Sequence, residues 1–136
     1  MANKKNKKKP AQVIFGPLPV GAIDATIGTE LEPGTAVMSS NAQVHASKRH
    51  PEDFPLCFPH VAQVIANPLY VGDDLRNHGK IELVSRVPAL GTGLLVAVDL
   101  TADGDGNYFV ASFYPVSEEK INNRRDKGHL KRLIKK

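Results

Sequence analysis

The segment from His45 to Pro51 concentrates residues that could transfer protons and bind an anion. Two of the five histidines, His45 and His50, and two fixed cations, Lys48 and Arg49, lie within six residues, directly ahead of the proline. Imidazole titrates at about pH 6.5, so two histidines can divide general-base and general-acid work without a metal ion. The cations could hold phosphate oxygens and stabilise developing negative charge. The alternative is a polar helix end whose solvated cations face the negative end of the helix dipole.

A short helix is predicted to carry these side chains. Residues 39–41 are Ser, Ser and Asn, whose side chains can accept hydrogen bonds from unpaired amides at a helix start, and Pro51 ends the helix after about Arg49. At about 100° per residue, His45 shares one face with the two cations, whereas His50 lies roughly 140° from it. Only a bend at the helix exit would bring both histidines together, so the sequence leaves open which of them acts.

A second helix is predicted from about Pro59 to Ala66, where apolar residues recur at helical spacing ahead of an Asn-Pro pair. His60 lies near its start, where packing or capping is favoured over catalysis. Cys57 has apolar neighbours and is interpreted as a buried core thiol, with a nucleophile paired to His60 as the alternative. A single cysteine excludes an intramolecular disulfide and is compatible with a reducing cytosol.

The remaining segments have the pattern of strands. Gln12–Val20, interrupted by glycine and prolines, suits short edge strands, and Ala22–Ile27 and Ala36–Met38 are predicted as further brief strands. Later segments rich in branched and aromatic residues indicate an antiparallel meander. These segments are Leu69–Val71, Lys80–Val87, Gly93–Leu100 and Tyr108–Val116. The predicted fold class is α+β, with N-terminal short strands and two helices packed on a four-stranded antiparallel meander.

Two glycine-containing connections are interpreted as turns. Asp103–Asn107 resembles the start of a calcium loop, but the required later glycine and glutamate are missing. Gly91–Gly93 is too short for a phosphate-binding loop. We therefore expect neither a metal ion nor another cofactor.

The last predicted strand places a hydroxyl beside a phenol. Strict alternation puts Tyr108, Val110, Ser112 and Tyr114 on one face, and Phe109, Ala111 and Phe113 on the other. Ser112 and Tyr114 could orient a phosphate and stack a base. Alternatively, Tyr114 is an ordinary aromatic residue of a sheet surface.

The charge is distributed unevenly along the 136 residues, whose net charge is +4. Residues 1–10 carry five lysines and residues 118–136 a net charge of +5, whereas residues 11–117 are net acidic at −6. The chain suits one domain, residues 11–136, after a disordered Lys-rich tail, residues 1–10, that binds nucleic acid nonspecifically or only solubilises the protein. The C-terminal segment, interrupted by Gly128, is predicted to form two short helical pieces.

No apolar run approaches the roughly 20 residues that span a bilayer, and no secretory segment follows the basic N-terminus. We therefore expect a soluble, cytoplasmic protein with no membrane partner.

The order of these pieces resembles the phage-associated Barnase–EndoU–colicin–RelE nucleases, known together as the BECR fold. The resemblance covers about residues 37–130. It is carried by four short motifs: Val37–Ser40 followed by His45, Lys48–Glu52, Ile65–Tyr70 and Ala111–Tyr114.

The resemblance implies metal-independent cleavage of RNA, often tRNA, in which the ribose 2′-hydroxyl attacks the neighbouring phosphate and leaves a cyclic phosphate. By position, His50 or His45 would move the proton, Lys48 and Arg49 would bind the phosphate, Ser112 would hydrogen-bond it, and Tyr114 would replace the family's strand aromatic. Arg86 is a further phosphate candidate or an ordinary exposed arginine. The implied role is that of a toxin or phage effector, with RNA and a cognate inhibitor or immunity protein as partners.

The net acidic centre argues against an RNA-binding surface unless the basic C-terminal segment folds back beside the site. A competing interpretation is a noncatalytic phage accessory module that binds a partner through its sheet and nucleic acid through its tails. A third is a nuclease fold retained for binding or inhibition. The accessory module predicts that His45 and His50 are dispensable. The retained fold is distinguished from an active enzyme by whether His50 and Ser112 converge within hydrogen-bond reach.

Overall fold

The computed structural model describes residues 10–73 and 79–134, and within them seven strands form one sheet. The predicted Lys-rich tail lies outside the described residues except for Pro10. The strands are β1 (Val13–Pro17), β2 (Thr35–Met38), β3 (Tyr70–Asp73), β4 (Lys80–Val87), β5 (Thr92–Asp99), β6 (Asn107–Val116) and β7 (Lys131–Arg132). Their order across the sheet is β1-β2-β6-β5-β4-β3-β7.

The α+β class is confirmed, but the sheet has seven strands rather than four. The four predicted consecutive antiparallel strands are present as β3 to β6. β1 and β2 form an antiparallel pair that joins β6 through β2, which runs parallel to β6, and β7 covers the outer edge of β3. β2 and β7 provide hydrogen-bond partners for backbone groups that a four-stranded meander would leave unpaired along its two edges, β6 and β3.

The described residues also form five α-helices. These are α1 (Val20–Ile27), α2 (Ser40–Arg49), α3 (Asp53–Cys57), α4 (Val61–Ala66) and α5 (Glu118–Asp126). The predicted first helix is confirmed as α2, where the Ser39 hydroxyl accepts a hydrogen bond from the Ala42 amide at 3.1 Å. The predicted second helix is divided, because Pro59 lacks an amide hydrogen and lies in a 3₁₀ turn, Phe58–His60, ahead of α4.

Residues Ala22–Ile27, predicted as a strand, are helical. Val20, Ile23 and Ile27 recur at spacings of three and four, which places all three against the same core. Gly28 ends the helix in a left-handed conformation, with φ of 75°, and its amide donates to the Asp24 carbonyl. The prediction was wrong because so short an apolar run fits either period.

Apolar side chains are buried on both faces of the sheet. Ile23, Ala46, Cys57 and Val64, one from each of α1 to α4, belong to the larger core on what we call the helix face. The opposite face, called the α5 face, carries a second buried cluster of Tyr70, Val84, Leu95, Ala97 and Val116 packed with Ile121 of α5.

The C-terminal segment forms one helix and a strand instead of two helical pieces. After α5, Gly128 turns the chain with φ of 78°, and Lys131–Arg132 then pairs with β3 as β7. Leu130 is buried in the α5-face cluster and Leu133 in the helix-face core. The segment therefore packs around the β3 edge of the sheet. This placement depends on pairing with Tyr70 and Val71, about 60 positions earlier in the sequence.

Candidate active site

Ser112 and Tyr114 both project onto the α5 face. In the β5–β6 register, Ser112 lies opposite Ala97 and Tyr114 opposite Leu95. Directly opposite residues of an antiparallel pair share a face, and both β5 residues belong to the α5-face cluster. Ser112 and Tyr114 are half-buried, so the hydroxyl and the phenol retain access to solvent on this face.

A β-bulge sets this orientation. The β5–β6 register shifts at Ala111, which is the extra residue, and the alternation of side chains moves by one position. The prediction that Tyr108 and Val110 share a face with Ser112 and Tyr114 is therefore wrong. Both Tyr108 and Val110 lie in the helix-face core.

His50 lies beside Tyr114, with ring centroids 6.5 Å apart and the ring planes 32° from parallel. It is the residue at which α2 ends, with φ of −132° and ψ of 66°. Its amide donates to the Ala46 carbonyl, and its carbonyl accepts from the Phe54 amide, both at 2.9 Å. These bonds hold the backbone of the bend, and the half-buried imidazole lies next to Tyr114 of β6.

The other three candidate residues of the segment His45–His50 are exposed. Gln43 and Ala46 form the buried side of α2, while His45, Lys48 and Arg49 face solvent. Among the described ring contacts, His50 contacts Tyr114 and none involves His45. The structure thus brings one of the two predicted histidines to β6, with two exposed cations directly before it in the sequence.

The α5 face also carries an acid, Glu82, that the sequence analysis did not single out. Glu82 lies opposite Ala97, which in turn lies opposite Ser112, so Glu82 and Ser112 flank the small alanine side chain in one row. Two strand spacings separate their backbones by about 10 Å. The Glu82 carboxylate is 3.5 Å from the Arg124 guanidinium, with only 14% of its side chain exposed. The available signal was the charge of Glu82 between the buried Ile81 and Leu83 of a strand.

Arg86, a predicted phosphate ligand, is paired with a carboxylate of α5. Its Nε and Nη2 donate to the two Glu118 oxygens at 2.5 and 2.9 Å, and its Cζ lies 5.7 Å from the Tyr70 ring centroid. The hydrogen bond to Glu118 raises the pKa of Arg86, and the same bond lowers the pKa of Glu118. Arg86 therefore anchors the start of α5 to β4.

This ion pair predicts a pH-dependent contribution to stability. Because the folded-state pKa of Glu118 lies below its ordinary value of 4.5, the stabilisation is present above that pH and is lost as the pH falls through the folded-state value. Glu118→Gln should melt slightly below wild type at pH 7 and match it well below pH 4.5. The difference stays small and decreases with salt, because the pair is exposed.

Thermal melts at both pH values and at two salt concentrations measure this effect. The control is Glu119→Gln, which removes the same charge from the neighbouring exposed position. A deficit of Glu118→Gln that persisted at pH 3 would assign the effect to something other than the ion pair.

α5 brings positive charge to the face that holds Ser112 and Tyr114. Arg124 reaches Glu82, and the Arg125 guanidinium lies over the Tyr70 ring with Cζ 4.8 Å from the centroid. Ile121 packs against Gly93 so closely that an added Cβ there would lie 2.9 Å from the Ile121 Cδ1. The basic C-terminal segment is thus folded back on the α5 face.

A scan against protein-family models matches residues 16–123 to the phage-Barnase-EndoU-ColicinE5/D-RelE like nuclease 3 family. The chain belongs to this nuclease family. Comparisons with curated proteins and with solved structures produced no match. The matched region of this nuclease contains α2, the His50 bend and the whole of β6, and it ends within α5.

Cys57 of the nuclease is a core residue, as predicted. Its side chain is buried next to the helix-face strands, and burial, with the nearby Asp53 charge as the second cause, raises the pKa of the thiol. The reactive thiolate is therefore disfavoured. His60 is half-buried and ends the 3₁₀ turn, without a side-chain capping bond to α4.

Within residues 10–73 and 79–134, no three His, Cys, Asp or Glu side chains are grouped so that they could hold a metal ion. None of the described helices has both the length and the apolar character needed to span a membrane.

Proposed function

We propose that this nuclease is a metal-independent endoribonuclease with tRNA among its substrates. The observation that carries the proposal is the contact between His50 and Tyr114, which joins the proton-carrying end of α2 to the hydroxyl-bearing face of β6. General acid–base catalysis needs a positioned proton-transfer group, most often a histidine, close to the groups that orient the substrate, and the nuclease family indicates nucleic acid as the substrate.

The reaction proceeds by attack of the ribose 2′-oxygen on the adjacent phosphorus. The 2′-O–P bond forms, the bond from phosphorus to the 5′-oxygen of the next nucleotide breaks, and a 2′,3′-cyclic phosphate remains. One proton leaves the 2′-hydroxyl and another reaches the departing 5′-oxygen. His50 is the proposed carrier of one of these protons, and the Tyr114 phenol, whose ring centroid is 6.5 Å from that of His50, is the proposed partner for the other.

The remaining predicted residues act on charge and orientation. Lys48 and Arg49 offset the negative charge that develops on the phosphate, and the Ser112 hydroxyl hydrogen-bonds a phosphate oxygen. Arg86 contributes indirectly by holding α5 in place, because its guanidinium is hydrogen-bonded to Glu118. His45, exposed on α2, is the alternative proton carrier in this proposal.

In a phage setting, such an enzyme acts as a toxin or effector in the cytoplasm, where tRNA is present. A cognate inhibitor or immunity protein would restrain it. The exposed Lys48 and Arg49, next to the half-buried His50, are accessible to such a partner as well as to RNA.

The proposal predicts that the purified protein cuts tRNA in the presence of EDTA. Discrete fragments on a denaturing gel are expected, and mass spectrometry should show termini lighter than a linear phosphate by one water. An RNA carrying a 2′-deoxyribose at the cleaved position should stay intact, because it lacks the nucleophile. Fragments that required Mg²⁺, or equal cleavage of the deoxy substrate, would contradict the mechanism. Intact tRNA that still bound the protein would favour the noncatalytic module.

A further inference from the structure

A basic groove lies between α5 and β7, mostly outside the region that matches the family model. Asn122, Arg125, Asp126, Leu130, Lys131 and Arg132 line it. Its volume is about 620 Å³. Three lining residues are cations and one is an acid, whereas residues 11–117 are net acidic. All lining residues except Asn122 follow residue 123, where the family match ends.

The cations of this groove are held in place by the fold. The Arg125 guanidinium lies on the Tyr70 ring. Lys131 and Arg132 belong to β7, whose pairing with β3 is followed by a hydrogen bond from the Leu133 amide to the Leu69 carbonyl at 3.0 Å. Both side chains are exposed, and neither forms a salt bridge with any described residue. Arg132 lies opposite Tyr70 and therefore on the α5 face, whereas Lys131 lies opposite Val71, on the other face of β7, and lines the groove from the edge strand. Exposed cationic side chains on backbone segments that the fold holds in place bind phosphate oxygens better than they bind an apolar ligand.

The groove lies in line with the candidate active site. One row of directly opposite residues crosses the sheet from Tyr114 through Leu95, Val84 and Tyr70 to Arg132. Four strand spacings of about 4.8 Å separate the ends of this row by roughly 19 Å. A distance of this size spans several nucleotides of an RNA chain, so a dinucleotide bound at Tyr114 is too short to reach Arg132.

We infer that the α5–β7 groove binds the phosphate backbone of the RNA several nucleotides away from the phosphate that is cleaved. This inference rests on the proposed function and adds a substrate class to it, namely RNA long enough to reach both places. The contact is independent of base sequence, since a lysine and two arginines on an open groove bind phosphates and not base edges. A dinucleotide occupies the candidate active site without reaching the groove.

The test compares two double variants with the same change of charge. Lys131→Glu/Arg132→Glu alters the groove, and Lys120→Glu/Lys127→Glu alters exposed positions of the same segment that do not line it. Each is combined with His50→Ala, so that labelled tRNA stays intact during fluorescence-anisotropy titrations. The groove variant should bind tRNA at least about tenfold more weakly, with the slope of log affinity against log salt reduced by about 1.5. The control variant should stay within about twofold, and equal losses in the two would overturn the inference.

Cleavage assays with His50 present separate this inference from the proposed function. The groove variant should raise the KM for tRNA and leave kcat/KM for an RNA dinucleotide unchanged. An equal loss of kcat/KM on tRNA and on the dinucleotide would overturn the inference about the groove, because it would place the effect at the active site or in the fold. If wild type cleaves no RNA, the proposed function fails while the binding titrations still decide the groove. Arg132→Gln, which retains the β7 backbone, should give a smaller loss in the same direction and provides the result if the double variant does not fold.

Discussion

His50→Ala is expected to lower kcat for RNA cleavage by roughly 10²- to 10⁴-fold, the usual contribution of a general acid or base. Its thermal unfolding should stay close to that of wild type. The bend at the end of α2 depends on backbone hydrogen bonds to Ala46 and Phe54, which alanine keeps, and the lost contact is one partly exposed ring against Tyr114. The measurement is a single-turnover rate on tRNA in EDTA, alongside a melt of each protein.

Two matched variants make this result specific. His45→Ala removes an exposed imidazole from the same helix, and His129→Ala removes one that lies outside both the candidate site and the α5–β7 groove. His129→Ala should cleave at the wild-type rate. If His45→Ala lost the activity while His50→Ala kept it, the proton-transfer role would move to His45. Full activity of both His45→Ala and His50→Ala would remove the histidine mechanism altogether.

Gly72→Ala is expected to destabilise the protein by about 3 kcal/mol, the upper part of the range for an overpacked site. A Cβ on Gly72 would lie 1.9 Å from the His129 carbonyl oxygen and 2.9 Å from the Leu130 Cδ2. The first of these atoms is backbone, so rotation of a side chain cannot relieve the overlap. The chain there is held on both sides, by Leu130 in the α5-face cluster and by the pairing of β7 with β3.

Chemical denaturation measures this loss, with Gly21→Ala as a control of opposite sign. A Cβ on Gly21 meets nothing within 4 Å, and alanine in α1 should stabilise by up to about 1 kcal/mol through helix propensity. Hydrogen exchange at the Leu133 amide distinguishes detachment of β7 from general loosening. If detachment occurs, tRNA affinity should fall together with the loss of protection. Wild-type stability of Gly72→Ala would mean that the crossing of residues 129–130 over β3 adapts without cost.

Several local features followed from the sequence because neighbouring residues determine them. Ser39 caps α2 with its hydroxyl, and α4 ends before the Asn67-Pro68 pair. Asp103 closes the turn before β6 by accepting hydrogen bonds from the Asp105 and Asn107 amides, as expected of an Asx turn and not of a calcium loop. The four meander strands were readable from their composition for the same reason.

The placement of the candidate site depended on the tertiary structure. Strict alternation along β6 missed the bulge at Ala111, because a bulge arises from the pairing with β5 and has no signature in β6 alone. Helical geometry left His45 and His50 as alternatives, and the contact with Tyr114 selected His50 for the β6 face through packing of residues 64 positions apart. The pairing of Glu82 with Arg124 of α5, 3.5 Å away, likewise depends on the docking of a distant helix.

The residue types that can do the chemistry, most of the helices and strands and the uneven charge are readable along the chain, and so is the family resemblance, which the family match confirmed. The completion of the sheet by β1, β2 and β7 and the packing of the basic C-terminal segment on the α5 face are visible only in the folded structure. Caps, turns and periodicity act over a few residues and are visible in the chain. Strand order, facing and the docking of α5 depend on contacts between distant residues, whose partners no local pattern specifies.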